Sequence, residues 1–161
     1  TWGILQLVTG PMSDRTGRKW LIVLGLYLCG AGVWATLWVT GMGPWLLAAA
    51  LTGAGMALLY PSLLAVVGDV AQPTWRGTSL GVFRMWRDSG YAFGALLIGL
   101  VSDTLGFDYG FHLTAATMFI SGTLVALVMY ETAPARRKGL PAWEDKPGFQ
   151  PEAPAAEDGN P

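Results

Sequence analysis

The chain has 161 residues, of which 52% are hydrophobic and only 13% are charged. An ordinary soluble domain has about 25% charged residues, so this composition is that of a membrane protein. The formal net charge of −1 hides an uneven layout, with acids crowded near the carboxyl terminus and bases in separate clusters, and no basic tract suits nucleic-acid binding.

The chain begins in an apolar segment, residues 1–8, within a predicted helix end at residues 1–13, which is shorter than the roughly 20 residues that a helix needs to cross a bilayer. It has neither an initiator methionine nor a signal-peptide pattern, so we expect a fragment that starts near the end of a transmembrane helix. The charged residues 14–19 do not fit in hydrocarbon. They predict a tight turn outside the membrane, entered through the helix breakers Gly10 and Pro11 and reversed at Gly17.

Two uncharged runs follow, residues 20–40 and 45–67. As α-helices each spans about 30 Å, the thickness of the hydrocarbon core, so both are predicted to be transmembrane. A soluble bundle would instead show polar residues on its solvent side at every turn, and these runs have almost none. Cys29, the single cysteine, excludes an internal disulfide and a cysteine-based metal site.

The second of these runs contains a proline and two glycines at positions that affect helix packing. Pro61 lacks a backbone donor, which predicts a bend or break over residues 58–61, and Gly53 and Gly55 favour close helix approach. A packing kink is the preferred interpretation, with a substrate-contacting break as the alternative.

Residues 79–102 form a predicted transmembrane helix with two unlike sides. At 100° per residue, Arg84, Arg87, Asp88 and Tyr91 fall on one side and large apolar residues on the other. One side is therefore expected to face lipid and the other protein or water. Gly90 and Gly94 have the spacing that permits close helix packing.

A final predicted span covers residues 111–130, after an acidic loop at residues 103–110. His112, at its start, is more consistent with an interfacial position than with catalysis, because there is no second histidine to form a metal pair. Residues 131–161 are rich in proline, alanine and acids, and we expect a disordered tail. The predicted fold class is all-α, a polytopic transmembrane helical bundle.

Charge sets the predicted orientation. If the chain crosses at each predicted span, all ten lysines and arginines lie on or near one side. By the positive-inside rule that side, with the tail, is cytoplasmic, in a multi-pass protein of the inner or plasma membrane.

Residues 10–19, G-P-M-S-D-R-T-G-R-K, resemble the signature loop of the Major Facilitator Superfamily of secondary transporters. The matching positions are Gly10, Asp14, Arg15, Gly17, Arg18 and Lys19. W-R-G-T-S-L-G-V-F-R from Trp75 and R-D-S-G-Y-A-F-G from Arg87 resemble that family's tenth-to-eleventh loop and eleventh helix. With a tail after residue 130, the resemblance is to the second copy of the loop, from the end of helix eight through helix twelve. Pro11 and Met12 depart from the family pattern, which often has a small residue and leucine there.

The resemblance implies a fold of two six-helix halves, a substrate held near the midplane and access that alternates between the two faces. It implies that the loop is a cytoplasmic gate. Asp14 would meet the positive end of a helix in the other half, while Arg15 and Arg18 pair with an acid of a neighbouring helix. Asp69 ends a span on the correct side for that pairing, and Arg76 is placed to join it.

The charged residues of span 79–102 support two interpretations. Ionisable groups inside a membrane usually line a pathway, which makes Arg84, Arg87, Asp88 and Tyr91 candidates for contact with substrate or protons. The preferred alternative is a gating pair of Arg84 with Asp88, four residues apart. For Tyr91, a hydroxyl offered to the substrate and a structural hydrogen bond are equally consistent with the sequence.

The sequence therefore predicts a secondary active transporter that moves a small organic solute, coupled to protons or another ion, with export favoured. The alternative is a sensor or scaffold of the same architecture. An intramembrane enzyme would need paired ionisable groups at the midplane, and the sequence shows none. No enzyme, metal site or cofactor is therefore predicted. The expected partners are the lipid bilayer, the missing amino-terminal half and the small-molecule substrate, and no nucleic acid.

Overall fold

The computed structural model describes residues 1–132. For some of these positions only the backbone is described, namely Leu7, Val8, Gly10, Pro11, Ser13, Asp14, Arg15 and Pro73. The described residues form five α-helices and one short 3₁₀ turn, without a strand, which confirms the all-α class. They are α1 Trp2–Thr16, α2 Arg18–Ala35, α3 Met42–Val70, the 3₁₀ turn Pro73–Trp75, α4 Arg76–Leu105 and α5 Phe107–Val128. The tail predicted at residues 131–161 lies outside the described residues beyond Thr132.

Three connections are made by glycines with positive φ. Gly17 (φ 104°) separates α1 from α2, Gly41 (φ 92°) precedes α3, and Gly106 (φ 113°) separates α4 from α5. A residue with a Cβ rarely adopts this conformation. The reversal predicted at Gly17 is therefore present.

The helices extend further into the polar segments than the apolar runs indicate. α1 continues past Gly10 and Pro11 to Thr16, so the turn predicted at residues 14–19 is reduced to Gly17. The loop predicted at residues 103–110 is reduced to Gly106, which places His112 inside α5. An apolar run marks where hydrocarbon can contact a helix, whereas backbone hydrogen bonding continues into water.

One helix is shorter than its apolar run. α2 ends at Ala35, not at residue 40. The N–H groups of Leu37 and Trp38 donate to the carbonyls of Trp34 and Ala35, at 3.2 and 3.0 Å. These three-residue steps tighten the last turn and end the α-helical ladder.

Two of the four predicted spans are helices long and apolar enough to cross a membrane. These are α3 and α5, each with a mean hydropathy of 1.7 over its most apolar window. Only 22% and 11% of those windows are buried, so most of their apolar surface faces outward. α2 is 18 residues long and begins with Arg18 and Lys19, while α4 contains three charged residues near its middle.

The closest helix packing joins α2 to α3 through glycines. A Cβ added to Gly55 would lie 2.6 Å from Cys29 Sγ and 2.7 Å from the Gly25 carbonyl oxygen. Cys29 is fully buried at this contact. Gly55 thus permits the close approach expected of it, whereas Gly53 faces Thr1 at the start of the chain.

Pro61 does not interrupt α3, which is helical from Met42 to Val70. Of the bend or break predicted over residues 58–61, the break is therefore absent. The Ala57 carbonyl, which Pro61 cannot pair with, accepts a hydrogen bond of 2.6 Å from Thr9 Oγ1 of α1. Since this outside donor replaces the missing one, the helix continues.

α4 has the most open environment of the described helices. None of its residues is buried, and it packs against α5 and α3. Within the described residues nothing lies within 4 Å of a Cβ added to Gly90 or Gly94. The close packing predicted for these two glycines is not made in this part of the chain.

Candidate functional site

The four helices α2 to α5 alternate in direction, so the start of α2, the end of α3, the start of α4 and the end of α5 lie at one end of the bundle. We call this the basic end, defined by Arg18, Asp69, Arg76 and Glu131. Gly41 and Gly106 mark the opposite end.

An ion pair joins α2 to α3 at the basic end. Arg18 NH1 lies 2.6 Å from Asp69 Oδ2, and the two side chains are only 7% and 19% exposed. The structure therefore brings together the two residues that the resemblance nominated as partners. Such little exposure weakens screening by water, so the Coulomb attraction between the two charges is stronger than it would be on the surface.

A second acid, Glu131, lies three residues after the end of α5 and contacts the start of α2. Its Oε1 accepts hydrogen bonds from the backbone N–H of Arg18 at 2.8 Å and of Thr132 at 3.0 Å. Arg18 is the first residue of α2, where backbone N–H groups lack helical partners and a negative charge is favoured. Glu131 thus caps α2 from a sequence distance of 113 residues.

Sequence reasoning did not select Glu131 as a site residue. The available signal was an acid directly after the last apolar run, at the end where the bases gather. With Glu131 included, the network joins the ends of α2, α3 and α5.

The other residues predicted for the gate have varied positions. The side chains of Asp14 and Arg15 are outside the described set. Lys19 Nζ lies 5.7 Å from the centre of the Trp20 ring. Arg76 is exposed in the first turn of α4 and forms no ion pair with another described residue.

A second charged cluster lies deeper in the bundle, between α3 and α4. Arg87 Nε and NH2 lie 2.9 and 2.8 Å from Asp88 Oδ1. Arg87 NH1 donates to the Tyr60 hydroxyl at 2.7 Å, and its guanidinium carbon lies 5.5 Å from the Tyr60 ring centre. Tyr60 therefore connects the charged pair of α4 to α3.

This cluster is about half a membrane thickness from the basic end. At 1.5 Å per residue, about 15 Å of helix separates Tyr60 from the end of α3 and Arg87 from the start of α4. The hydrocarbon core is about 30 Å thick. Tyr60 and the Arg87–Asp88 pair therefore lie at a similar depth in the bundle, about three helical turns from the basic end.

The structure does not form the pair of Arg84 with Asp88. The carboxylate of Asp88 is paired with Arg87 instead, and within the described residues Arg84 has no ion pair. Arg87 also contacts Tyr60 of α3, which holds its guanidinium in reach of Asp88. Tyr91 is 60% exposed, one turn beyond Arg87 on the same side of α4.

At the opposite end, Trp34 Nε1 donates to His112 Nδ1 at 3.1 Å. These residues line an open apolar groove of about 410 Å³ between α2 and α5, with Ala115, Ala116 and Phe119. Its described lining carries one titratable side chain, His112, and no acid. Among the described residues no group of three His, Cys, Asp or Glu side chains is placed to hold a metal ion.

An all-helical bundle with outward apolar surface and charged clusters at one end and at mid-depth defines a polytopic membrane protein. The chain belongs to the Major Facilitator Superfamily, whose family model matches residues 2–157. Relatives of this chain are named as transporters.

Three relatives illustrate the similarity. An uncharacterized MFS-type transporter of Salmonella typhimurium, STM4428, is 33% identical over 126 residues, which are 78% of this chain and 32% of that protein. The 3-(3-hydroxy-phenyl)propionate transporter of Escherichia coli is 32% identical over 123 residues, 76% of this chain and 28% of the relative. The multidrug resistance protein MdtH of Salmonella paratyphi B is 34% identical over 125 residues, 76% of this chain and 29% of the relative. The chain thus spans about a third of the length of these relatives, and no solved structure matches it.

Proposed function

We propose that this chain is the carboxyl-terminal part of a secondary active transporter that moves a small organic solute by alternating access. The observation that carries the proposal is the network of Arg18, Asp69 and Glu131, which ties three helix ends together at one end of the bundle. In this proposal an amino-terminal half supplies the other wall of the central cavity, and the surrounding partner is the lipid bilayer.

The network would act as a gate. Separating the two charges of a buried ion pair costs several kcal/mol. Opening the basic end is therefore unfavourable unless another interaction compensates. Substrate binding deeper in the bundle is the proposed compensation. Because a few kcal/mol separate the two states, differential binding of that size is enough to shift the population.

The basic end is proposed to be cytoplasmic. Arg18, Lys19 and Arg76 lie there, and the connections at Gly41 and Gly106 carry no lysine or arginine. The positive-inside rule then places the described end of the chain, Thr132, in the cytoplasm of a cell whose inner or plasma membrane holds the protein.

The deeper cluster is proposed to line the substrate and proton pathway. Arg84, Arg87, Asp88 and Tyr91 lie on the side of α4 that would face the central cavity, and Asp88, 62% exposed, is accessible to carry a proton. The titratable group that approaches this pair from α3 is Tyr60. Export is the proposed direction, supported by similarity to a relative named for multidrug resistance.

The test is counterflow of labelled solutes by the complete transporter in proteoliposomes. We expect exchange by the wild type and a rate about tenfold lower for Asp69→Asn, because the gate loses about 1.4 kcal/mol or more. Asp103→Asn, an exposed acid at the opposite end of α4, is the matched control and should leave the rate unchanged. Solute binding without exchange would contradict transport and favour a sensor of the same architecture.

A further inference from the structure

We infer that the mid-depth cluster takes the carboxylate of an organic anion, with Arg87 as its anchor and Tyr60 as the residue that positions the anchor. This inference rests on the proposed function and adds the charge class of the solute. It depends on the contacts of one guanidinium group.

Two edges of the Arg87 guanidinium have different partners. The edge formed by Nε and NH2 faces Asp88 Oδ1, at 2.9 and 2.8 Å. That edge is the planar pair of donors that matches a carboxylate, and a carboxylate already occupies it. A solute carboxylate can therefore replace Asp88 with no change in the chemistry of the contact.

Asp88 is able to leave that contact. Its side chain is 62% exposed, so its carboxylate can be hydrated when a solute takes its place. It also adjoins Arg87 in sequence, and it need move only its own side chain. The remaining edge of Arg87 stays bonded to Tyr60.

Tyr60 fixes the direction of Arg87. Its hydroxyl accepts a hydrogen bond from Arg87 NH1 at 2.7 Å, and its ring centre lies 5.5 Å from the guanidinium carbon. The Trp2 ring packs edge-on against the Tyr60 ring, with 6.0 Å between the two ring centres. An arginine held in this way has less conformational freedom to lose when a ligand binds. α1 and α3 therefore hold the anchor that α4 carries.

The surroundings favour an anion with an apolar or aromatic body. This turn of α4 carries two arginines, Arg84 and Arg87, and a single acid, Asp88, so its net charge is positive. Trp2, which contacts Tyr60, and Tyr91, one helical turn after Arg87, are 44% and 60% exposed and offer aromatic surface. A cation would meet repulsion here, and a neutral solute would have to break the Arg87–Asp88 pair without replacing its charge.

The experiment is isothermal titration of the purified complete transporter with three probes of matched shape, which are benzoate, benzamide and benzylamine. We expect benzoate to bind most tightly. Arg87→Gln should weaken benzoate binding roughly tenfold to a hundredfold and leave benzamide binding unchanged, since a charge-assisted contact is lost. Arg87→Lys should retain part of the preference for benzoate.

Tyr60→Phe tests the positioning role. It removes the hydroxyl and keeps the ring, and it should lower the benzoate-to-benzamide preference about threefold to tenfold at unchanged melting temperature. Tyr109→Phe makes the same change near the opposite end and should alter neither quantity. If Arg87→Gln does not fold, the benzoate-to-benzamide preferences of Arg87→Lys and Tyr60→Phe test the inference.

Three results would overturn the inference. They are no benzoate binding by the wild type at millimolar concentration, equal or tighter binding of benzamide or benzylamine, and a benzoate preference that is undiminished in Arg87→Gln and Tyr60→Phe. Failure of the proposed function looks different, because there benzoate binds through Arg87 while no solute is exchanged across the vesicle membrane.

Discussion

The hydroxyl of Thr9 in α1 donates a 2.6 Å hydrogen bond to the backbone carbonyl of Ala57 in α3, four residues before Pro61. Thr9 is 5% exposed, and the bond crosses 48 positions of sequence. A proline deprives the carbonyl four residues earlier of its helical donor, and an unpaired buried carbonyl is costly. α1 thus supplies to α3 the donor that Pro61 lacks.

Thr9→Val should lower the free energy of unfolding by about 1–3 kcal/mol, because it leaves the Ala57 carbonyl unpaired. In a Pro61→Ala background that carbonyl regains a donor, so the same substitution should cost about 1 kcal/mol less. Unfolding in detergent, followed by circular dichroism, measures both. Thr117→Val, which removes an exposed hydroxyl bonded within its own helix, is the control. Equal costs of Thr9→Val in the two backgrounds would contradict this account.

Gly55→Ala should separate α2 from α3. The new Cβ would lie 2.6 Å from Cys29 Sγ and 2.7 Å from backbone atoms of Cys29 and Gly25, and backbone cannot move aside cheaply. We expect a loss of about 1–3 kcal/mol, seen as a lower melting temperature. Gly43→Ala, with nothing within 4 Å of the added Cβ, should be neutral or slightly stabilising because alanine favours helix. A melting temperature unaffected by Gly55→Ala would show that these helices do not pack so closely.

Glu131→Ala should weaken the basic end more than Glu131→Gln. Alanine removes the acceptor of the Arg18 N–H, a charge-assisted bond at a helix start, with an expected cost of about 1.5–3 kcal/mol. Glutamine keeps a carbonyl oxygen and loses the charge, whose interaction with the helix dipole is worth about 0.3–1 kcal/mol. Thermal unfolding of both variants distinguishes the two contributions. If they destabilise equally, the carboxylate charge rather than the hydrogen bond carries the effect.

Asp88→Asn should uncouple transport from the proton gradient while exchange of solute continues. Asparagine cannot release or take up a proton, yet it keeps an oxygen that can accept from Arg87. Uptake by the complete transporter is measured in vesicles across a pH series, with and without an imposed gradient. Unchanged coupling in Asp88→Asn would remove Asp88 from the proton pathway and leave the Arg87 contact as its role.

The prediction of an all-α membrane-type chain followed from composition and from the length of the uncharged runs. The apolar stretches of α3 and α5 are recognisable because a helix must expose about 20 apolar residues to cross hydrocarbon, a local requirement. The exact helix ends were wrong at residues 14–19, 35–40 and 103–110. They depend on backbone hydrogen bonds and on glycine conformation, which apolar periodicity does not report.

Of the two candidate sites, one pairing could be predicted from the sequence and the other could not. A charge at the end of a span is visible in sequence, so Asp69 could be nominated as a partner for Arg18, and the two lie 2.6 Å apart. Arg84 was nominated for Asp88 because residues four apart share a helix face. The structure pairs Asp88 with Arg87 because Tyr60, on another helix, holds Arg87 there.

By itself the sequence determined the helical class, the apolar spans and the residues that carry charge, since each of these depends on neighbouring residues only. The tertiary structure alone decided which charges meet. Glu131 reaches Arg18 across 113 positions, Thr9 reaches Ala57 across 48, and Arg87 reaches Tyr60 across 27. Such contacts depend on how antiparallel helices pack side by side, and the depth of approach at Gly55 sets that packing through atoms from both helices.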